Sequence, residues 1–406
     1  MAKAHNPLRI GFVGGGMNSA IGRVHHAAIT LDNKFELIGG CFSRDQAVSR
    51  QTATMYGLDE EKGYASIKTL LEDGNPDVVA ILTPSPSHRM CLGELALSGL
   101  PIVCEKPLVT CLDDLQQIDT VVARSQPLFV TYNYTGYPMV REARDIIRQN
   151  ELGKVVQVVM EMPQDGLIRP PRINGVPKPP QTWRLHDGVI PNVCLDLASH
   201  LIQMMRFVTG EEVAQASAIF TNHSRFTKIY DTAHVSGVLT NGAATSFWVT
   251  KSAHGYRNGL NFRIFCEAGS VFWDQSDPEI LRIGKADGSV KIIDRSSACH
   301  EGFAPRYDRM KVGHPAGFIE AFANHYADIH DAICQKHGAD DFVFGRDDAF
   351  EELQLLENLA IGGSYVRSVQ SGNRDVFACT VPSGSRNDRL GCTDFADRIY
   401  RFSGHV

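Results

Sequence analysis

Three short stretches of this 406-residue chain carry residues whose types and spacing could do chemistry. In "VCEKPLVT", Val103 to Thr110, Glu105, Lys106 and Pro107 directly follow an apolar run. A lysine half-buried at a strand exit can hold a hydroxyl oxygen and favour its alkoxide. Proline fixes the backbone beyond it and restrains the lysine's geometry. By themselves these residues also suit a surface Glu-Lys pair at a turn. In "VCLDLASHLIQMMRFVTG", read as a helix ending at Gly210, Asp196 and His200 are four apart and share one face. Histidine near neutral pKa can take an alcohol's proton as hydride leaves, and a neighbouring carboxylate can orient the ring and favour its charged form. Alone, the pair also suits a solvated or capping role. In "LRIGFVGGGMNSAIGRVHH", Gly14, Gly15 and Gly16 form a turn between a strand and a helix. Glycine lets a pyrophosphate approach the backbone, and the helix N-terminus favours its charge. The next glycine, Gly22, comes late: the spacing is G-x-G-x5-G rather than G-x-G-x-x-G.

These groups need elements to position them. After "LRIGFVGG", the sequence predicts helix "AIGRVHHAAITL", strand "FELIGGCFS", a helix stopping at Gly57, helix "SIKTLLEDGN", strand "PDVVAILTP", helix "HRMCLGELALSG" and strand "PIVCEKP". Strands alternating with helices imply a parallel sheet with crossover helices, and strands that are apolar on both faces fit one that is covered on both sides. Ligands on such sheets bind beyond the carboxyl ends of the strands, where "LTPSPSH" and "CEKP" both lie. After about Val130 the pattern changes to a helix, then short strands such as "AATSFWVTK" and "NFRIFCEAG" separated by Gly, Asn and Asp, which suits an antiparallel sheet. The expected organisation is a Rossmann dinucleotide-binding domain over 1–130, a substrate and oligomerisation domain over 131–370 and a polar tail over 371–406. An open sheet of this kind often supplies a subunit interface, so a homodimer or homotetramer is expected.

A Rossmann strand usually ends in an acid that holds the ribose 2′-hydroxyl. Here that place reads as Phe42, followed by Ser43 and Arg44, which could hold a 2′-phosphate; Asp45 is late. The cofactor is left as NAD or NADP. Between the two domains' motifs lies "PQDGLIRPPRINGVPKPPQTWRLHDGVIPN", a long proline-rich loop of the kind that is often functional. Its Arg169, Arg172 and Lys178 could meet an acidic group on a substrate, or the loop could make subunit contacts.

Bulk composition excludes several classes. Apolar residues are 43%, charged residues 21% and the formal net charge −6, with no block of like charges that would suit nucleic acid or an anionic membrane surface. No run reaches the ~18 apolar residues of a membrane span. The ten cysteines form no CxxC pair and read as reduced residues of a cytoplasmic protein. The fifteen histidines are dispersed, and no HExxH occurs, so no metal is expected.

The glycine turn followed by "IGRVH", together with "LTPSPSH", "CEKPL" and the later Asp-x-x-x-His, resembles the glucose–fructose oxidoreductase and inositol dehydrogenase family, Gfo/Idh/MocA, over roughly Leu8 to Val369. The resemblance implies an α/β chain: an N-terminal Rossmann domain, then an α/β domain on a large open, mainly antiparallel sheet. It implies catalytic roles for Lys106, Asp196 and the general base His200. Nucleotide contacts would come from Gly14, Gly16, Ser19, Ile21, Ser43, Arg44, Thr83, Pro84, His88, Glu105 and Lys106. Substrate contacts would come from Lys106, Asn133, Tyr134, Arg169, Trp183, Arg184, Asp196 and His200. Separately, His314 in "GHPAGFIEAFANHYADIHDAI" reads as a cleft, capping or loop residue. The implied reaction moves hydride between a ring hydroxyl of a sugar, glycoside or cyclitol and a nicotinamide. Two alternatives use the same family features: an NAD-assisted glycoside hydrolase or lyase acting through a transient 3-keto sugar, and a non-catalytic sugar or nucleotide sensor.

Overall fold

The apolar runs of the first third become five parallel strands: β1 (Leu8–Gly14), β2 (Phe35–Cys41), β3 (Val78–Leu82), β4 (Ile102–Glu105) and β5 (Leu128–Thr131), in the order β2-β1-β3-β4-β5. The computed structural model describes residues 6–169, 172–173, 176–177, 180–336, 338–362, 364–367 and 376–377. Each residue of β3 and β4 is buried, as covered parallel strands require. Five helices serve these strands: α1 (Ala20–Leu31), α2 (Gln46–Met55), α3 (Ile67–Thr69), α4 (His88–Leu95) and α5 (Leu112–Val121). Helix α1 buries Gly22, His25, Ala28 and Ile29, one face at helical spacing. Asp45 starts α2 by accepting the N–H groups of Ala47 and Val48.

The chain then passes through α6 (Pro138–Arg148) into a second sheet. Its strands are β6 (Val155–Pro163), β9 (Val213–Thr221), β10 (Thr232–Leu239), β11 (Ala244–Thr250), β12 (Asn261–Cys266), β13 (Gly269–Asp274), β14 (Leu281–Lys285), β15 (Val290–Ile293), β16 (Ser364–Arg367) and β17 (Val376–Phe377). A separate two-residue hairpin, β7 (Arg172–Ile173) and β8 (Val176–Pro177), lies in the long loop. The large sheet is antiparallel apart from the β6–β11 pair. The architecture is therefore α/β, a Rossmann-type sheet followed by an open, mainly antiparallel one. One face of the large sheet packs on helices such as α7 (Ser199–Thr209). On the other, Ile219, Val238, Phe265 and Ile292 stay exposed, and Trp248 stacks on His234.

Two late helices return to the first sheet. In α8 (Phe318–Ile333), Phe322 and Tyr326 join the apolar cluster of Phe12, Ala28 and Phe35. From α9 (Arg346–Gly362), Glu357 accepts the backbone N–H of Leu112 at the start of α5, at 2.9 Å. The walls around the exits of β1, β3 and β4 thus come from both ends of the chain. No helix among the described residues is long and apolar enough to cross a membrane.

Candidate active site

Lys106 leaves the end of β4, and its Nζ donates to the main-chain oxygen of Asp196 at 2.7 Å and to Asp196 Oδ1 at 2.9 Å. Asp196 lies in a wide π turn, Cys194–Ala198, that leads into α7. Such turns lose the ordinary i, i+4 register and often mark functional sites. Here the consequence is concrete. The expected contact between Asp196 and His200 is replaced by three cations on Asp196: Lys106, Arg184 at 2.8 Å and Lys251. No hydrogen bond joins Asp196 to His200 among the described residues. Burial pushes the Asp196 carboxyl up, but these cations overcome it and hold it well below the usual carboxylate range.

His200 is 6% exposed, and its ring meets Tyr134 edge-to-face at 4.7 Å. Its Nδ1 is enclosed without a partner. Burial first, and then the charge of Lys106, hold the ring well below the ordinary histidine range; Asp196 opposes them. The ring is therefore neutral at pH 7 and able to accept a proton.

Glu105 has hydrogen-bond partners other than those of Lys106. It accepts from Thr131 Oγ1 at 2.5 Å and meets His25 Nε2 at 2.9 Å, while His25 Nδ1 meets the Tyr326 hydroxyl at 2.6 Å. Burial raises the Glu105 carboxyl, but the His25 and Thr131 bonds and Lys106 bring it below its ordinary value. Removing one partner of such a buried charge typically costs about 3–5 kcal/mol, so this chain of bonds fixes the strand end that carries Lys106. The Lys106–Pro107 bond is cis.

A cavity of about 170 Å³ opens between the two sheets. Ile21, Glu105, Lys106, Asn133, Tyr134, Met162, Gln164, Asp196, Leu197, His200, Phe318 and Phe322 line it. The amide nitrogen of Asn133 is buried without a partner, a donor that a ligand hydroxyl would satisfy. The Tyr134 hydroxyl accepts from Asn258, whose Oδ1 accepts from Gln164. A lysine, a neutral histidine and amide donors around one small space can hold a hydroxyl group, take its proton and stabilise the charge left on oxygen.

The nucleotide edge adjoins this cavity through Ile21 in the first turn of α1. Gly14 and Gly15 adopt φ of +83° and +72°, which only glycine takes without strain. A Cβ on Gly16 would stand 2.8 Å from the Phe42 carbonyl oxygen. One on Gly22 would stand 2.3 Å from the Gly15 carbonyl oxygen, so this late glycine is the one that lets α1 pack against the turn. Ser19 caps α1 by accepting the N–H of Gly22. A tight glycine turn leading into a capped helix N-terminus, at the β1–β3 switch point, fits a nicotinamide dinucleotide's pyrophosphate.

Phe42 is turned into the core against Phe12 and Tyr56, which leaves Ser43 and Arg44, neither acidic, as the next side chains beyond β2. Arg44 is exposed, and the Asp45 carboxylate is spent on capping α2. Thr83 packs where a Gly14 side chain would be, and Pro84 is exposed at the same strand exit. His88 differs from its expected contact role. It is fully buried, with Nε2 against the Thr83 carbonyl and Nδ1 against those of Pro107 and Leu108, so it ties the two strand exits together. Burial lowers its pKa, while the carbonyl contacts oppose that.

These two halves correspond to two family models. One, described as "Oxidoreductase family, NAD-binding Rossmann fold", matches residues 8–134; the other, "GFO/IDH/MocA C-terminal domain", matches 140–272. The chain belongs to the Gfo/Idh/MocA oxidoreductase family. An uncharacterized oxidoreductase, YfiI of Bacillus subtilis, is 26% identical over 390 residues, covering 90% of this chain and 96% of that protein. Levoglucosan dehydrogenase of Pseudarthrobacter phenanthrenivorans is 23% identical, covering 69% of this chain and 76% of its own length. The solved inositol dehydrogenase homolog of Azotobacter vinelandii, complexed with NADH and myo-inositol, shares the fold with a TM-score of 0.76 at 23% identity, covering 87% of this chain and 94% of that one.

The long loop divides. Arg184 reaches Asp196 and stacks on Trp183 at 4.4 Å, whereas Arg169 is exposed and pairs with Asp165, outside the cavity lining. Only the backbone of Arg172 is described; Lys178 and most of the 371–406 tail lie outside the described residues. His314 lines a separate small recess beside Arg295 and Arg309. The sequence reading missed Gln164, Lys251, Asn258, Phe318 and Phe322. Lys251 carried a usable signal: like Lys106, it is a charge directly at a strand exit.

Proposed function

We propose that this chain is a dehydrogenase that oxidises a ring hydroxyl of a sugar, glycoside or cyclitol with a nicotinamide cofactor, or reduces the corresponding ketone. The observation that carries the reading is the convergence of Lys106, a neutral His200 and the unpaired Asn133 amide on one cavity beside the glycine turn. The nicotinamide, when bound, supplies the hydride acceptor. His200 takes the hydroxyl proton. Lys106 donates to the same oxygen and offsets the charge that develops there. Asp196 holds Lys106 in place rather than orienting His200. Asn133 and Tyr134 position the ring. The likeness to sugar and cyclitol enzymes of the family supports the substrate class.

For the cofactor's finer identity, the absence of an acid at Ser43–Arg44 and the exposed Arg44 guanidinium favour NADP over NAD. A second copy covering the exposed apolar residues of the large sheet would give the homodimer or homotetramer. The eight described cysteines are free thiols, which suits a cytoplasmic setting.

The test is to titrate the protein with both nucleotides, identify any nucleotide released on denaturation by mass, and follow reduced cofactor at 340 nm with a panel of sugars and cyclitols. Arg44→Ala should weaken NADP by about tenfold and NAD little, the share of one charged phosphate contact. Binding of neither nucleotide would sink the dehydrogenase reading. An unchanged NADP affinity in Arg44→Ala would remove only the cofactor assignment.

A further inference from the structure

We propose that Lys251 and Arg184 form an anion-holding rim of the cavity, and that the carbohydrate taken there carries a carboxylate. The inference rests on the dehydrogenase reading and adds the substrate's charge to it. Three cations converge on the single carboxylate of Asp196: Lys106 on Oδ1, Arg184 and Lys251 on Oδ2. The neighbouring carboxylates have other commitments. Glu105, held by His25 and Thr131, answers one of the three positive charges through its closeness to Lys106. Asp231, beside Lys251 across β10 and β11, accepts the N–H groups of His223 and Ser224 and the Thr232 hydroxyl. Asp187 accepts the N–H groups of Asn192 and Tyr230, and Asp165 pairs with Arg169.

Water screens the two lysines poorly, because the side chains of Lys106 and Lys251 are only 13% and 16% exposed, whereas Arg184 at 36% is open to solvent. An excess of buried positive charge is costly unless an anion completes it. Consistently, burial draws Lys251 below the ordinary lysine range although Asp196 opposes this. The placement suits a ligand. Lys251 directly follows β11, whose Thr250 oxygen accepts the N–H of Gln164, and Ala253 donates to the Gln164 oxygen. Lys251 therefore stands between Gln164 and Asp196, both of which line the cavity. Arg184 uses Nη1 on Asp196 and Nε on Gln181, and its other amino group has no bond among the described residues. A guanidinium edge is shaped to meet a carboxylate. Three cations set against Asp196 and Glu105 leave one positive charge for a substrate carboxylate to meet.

The experiment compares glucuronate, galacturonate and gluconate with their uncharged amides on the nucleotide-loaded protein, by calorimetry and by kcat/KM. We expect at least one acid to exceed its amide by about tenfold or more, the scale of one charge-assisted hydrogen bond. In Lys251→Met that acid-to-amide ratio should fall towards one, whatever happens to absolute rates, and Lys251→Arg should restore it. Should Lys251→Met fail to fold, the wild-type ratio decides alone. Amides that match their acids, an equal loss for both in the variant, or an acid panel that does not bind while neutral sugars are turned over would each overturn the proposal and leave the dehydrogenase reading standing. Failure to bind either nicotinamide nucleotide would instead remove that reading itself.

Discussion

The nucleotide half and the catalytic half of this molecule are built in opposite ways. The glycine turn, Phe42, Ser43 and Thr83 lie within one stretch of alternating strands and helices, and backbone closeness decides their geometry: Gly16 against Phe42, Gly22 against Gly15. The catalytic half draws Lys106, Tyr134, Gln164, Arg184, Asp196 with His200, and Lys251 from six places in the chain, and charge decides their geometry. Glu105 and Asp196 show the contrast most closely. Both are buried carboxylates beside Lys106. Glu105 is satisfied by a neutral-sized chain of Thr131, His25 and Tyr326, which anchors a strand end. Asp196 is crowded by three cations, of which Lys106 lines the cavity. A carboxylate with balanced partners holds structure; one with surplus partners shapes a field for a ligand.

Three measurements break or sharpen that contrast. Lys106→Met should lower kcat/KM by about 10³-fold, as expected for removal of a donor to the developing oxyanion, with nucleotide affinity changed far less. Near wild-type turnover would mean that the charge cluster is not the reaction centre. Gly22→Ala strikes the other half. Its Cβ meets backbone on the far side of the turn, so nucleotide affinity should fall by about 10²-fold and stability by about 1–3 kcal/mol, read by fluorescence titration and thermal melting. Gly93→Ala, in α4 with open space around it, should stabilise by about 0.5–1 kcal/mol and leave affinity unchanged. A loss at Gly93 equal to that at Gly22 would show that close approach to the turn is not what sets Gly22 apart.

A pH-dependent effect concerns Glu352 on α9, which is bonded to Gln203 of α7. It accepts from the Tyr132 hydroxyl at 2.5 Å and from Gln203 at 2.9 Å, and burial raises its pKa to about 7. The folded protein therefore holds this proton more tightly than the unfolded chain. Its contribution to stability is present below the ordinary glutamate pKa and is lost as pH rises through about 7. Glu352→Gln should flatten the decline of thermal stability between pH 5 and 8, by up to about 3 kcal/mol. Parallel pH profiles for the two proteins would show that Glu352 does not titrate in this window.

Local pattern alone carried the fold. Apolar runs such as "VVAIL", bounded by glycine and proline turns, determine strands covered on both faces, and their alternation with helices determines a parallel sheet. Lys106 and His200 were legible for a similar reason: a charge at a strand exit or a histidine on an apolar helix is conspicuous against its neighbours. The partner of Asp196 was not legible. Spacing of four residues points to His200, but the π turn shifts the register, and Lys106, Arg184 and Lys251 arrive from remote segments. The same applies to His88, whose motif position suggests a ligand contact but whose ring three carbonyls enclose, and to α8, which sets Tyr326 on His25 from 301 residues further along the chain. Periodicity and turn chemistry act over a few residues and are written in order along the chain. Electrostatic partnership depends on distance in space, so only the folded chain decides which charges meet.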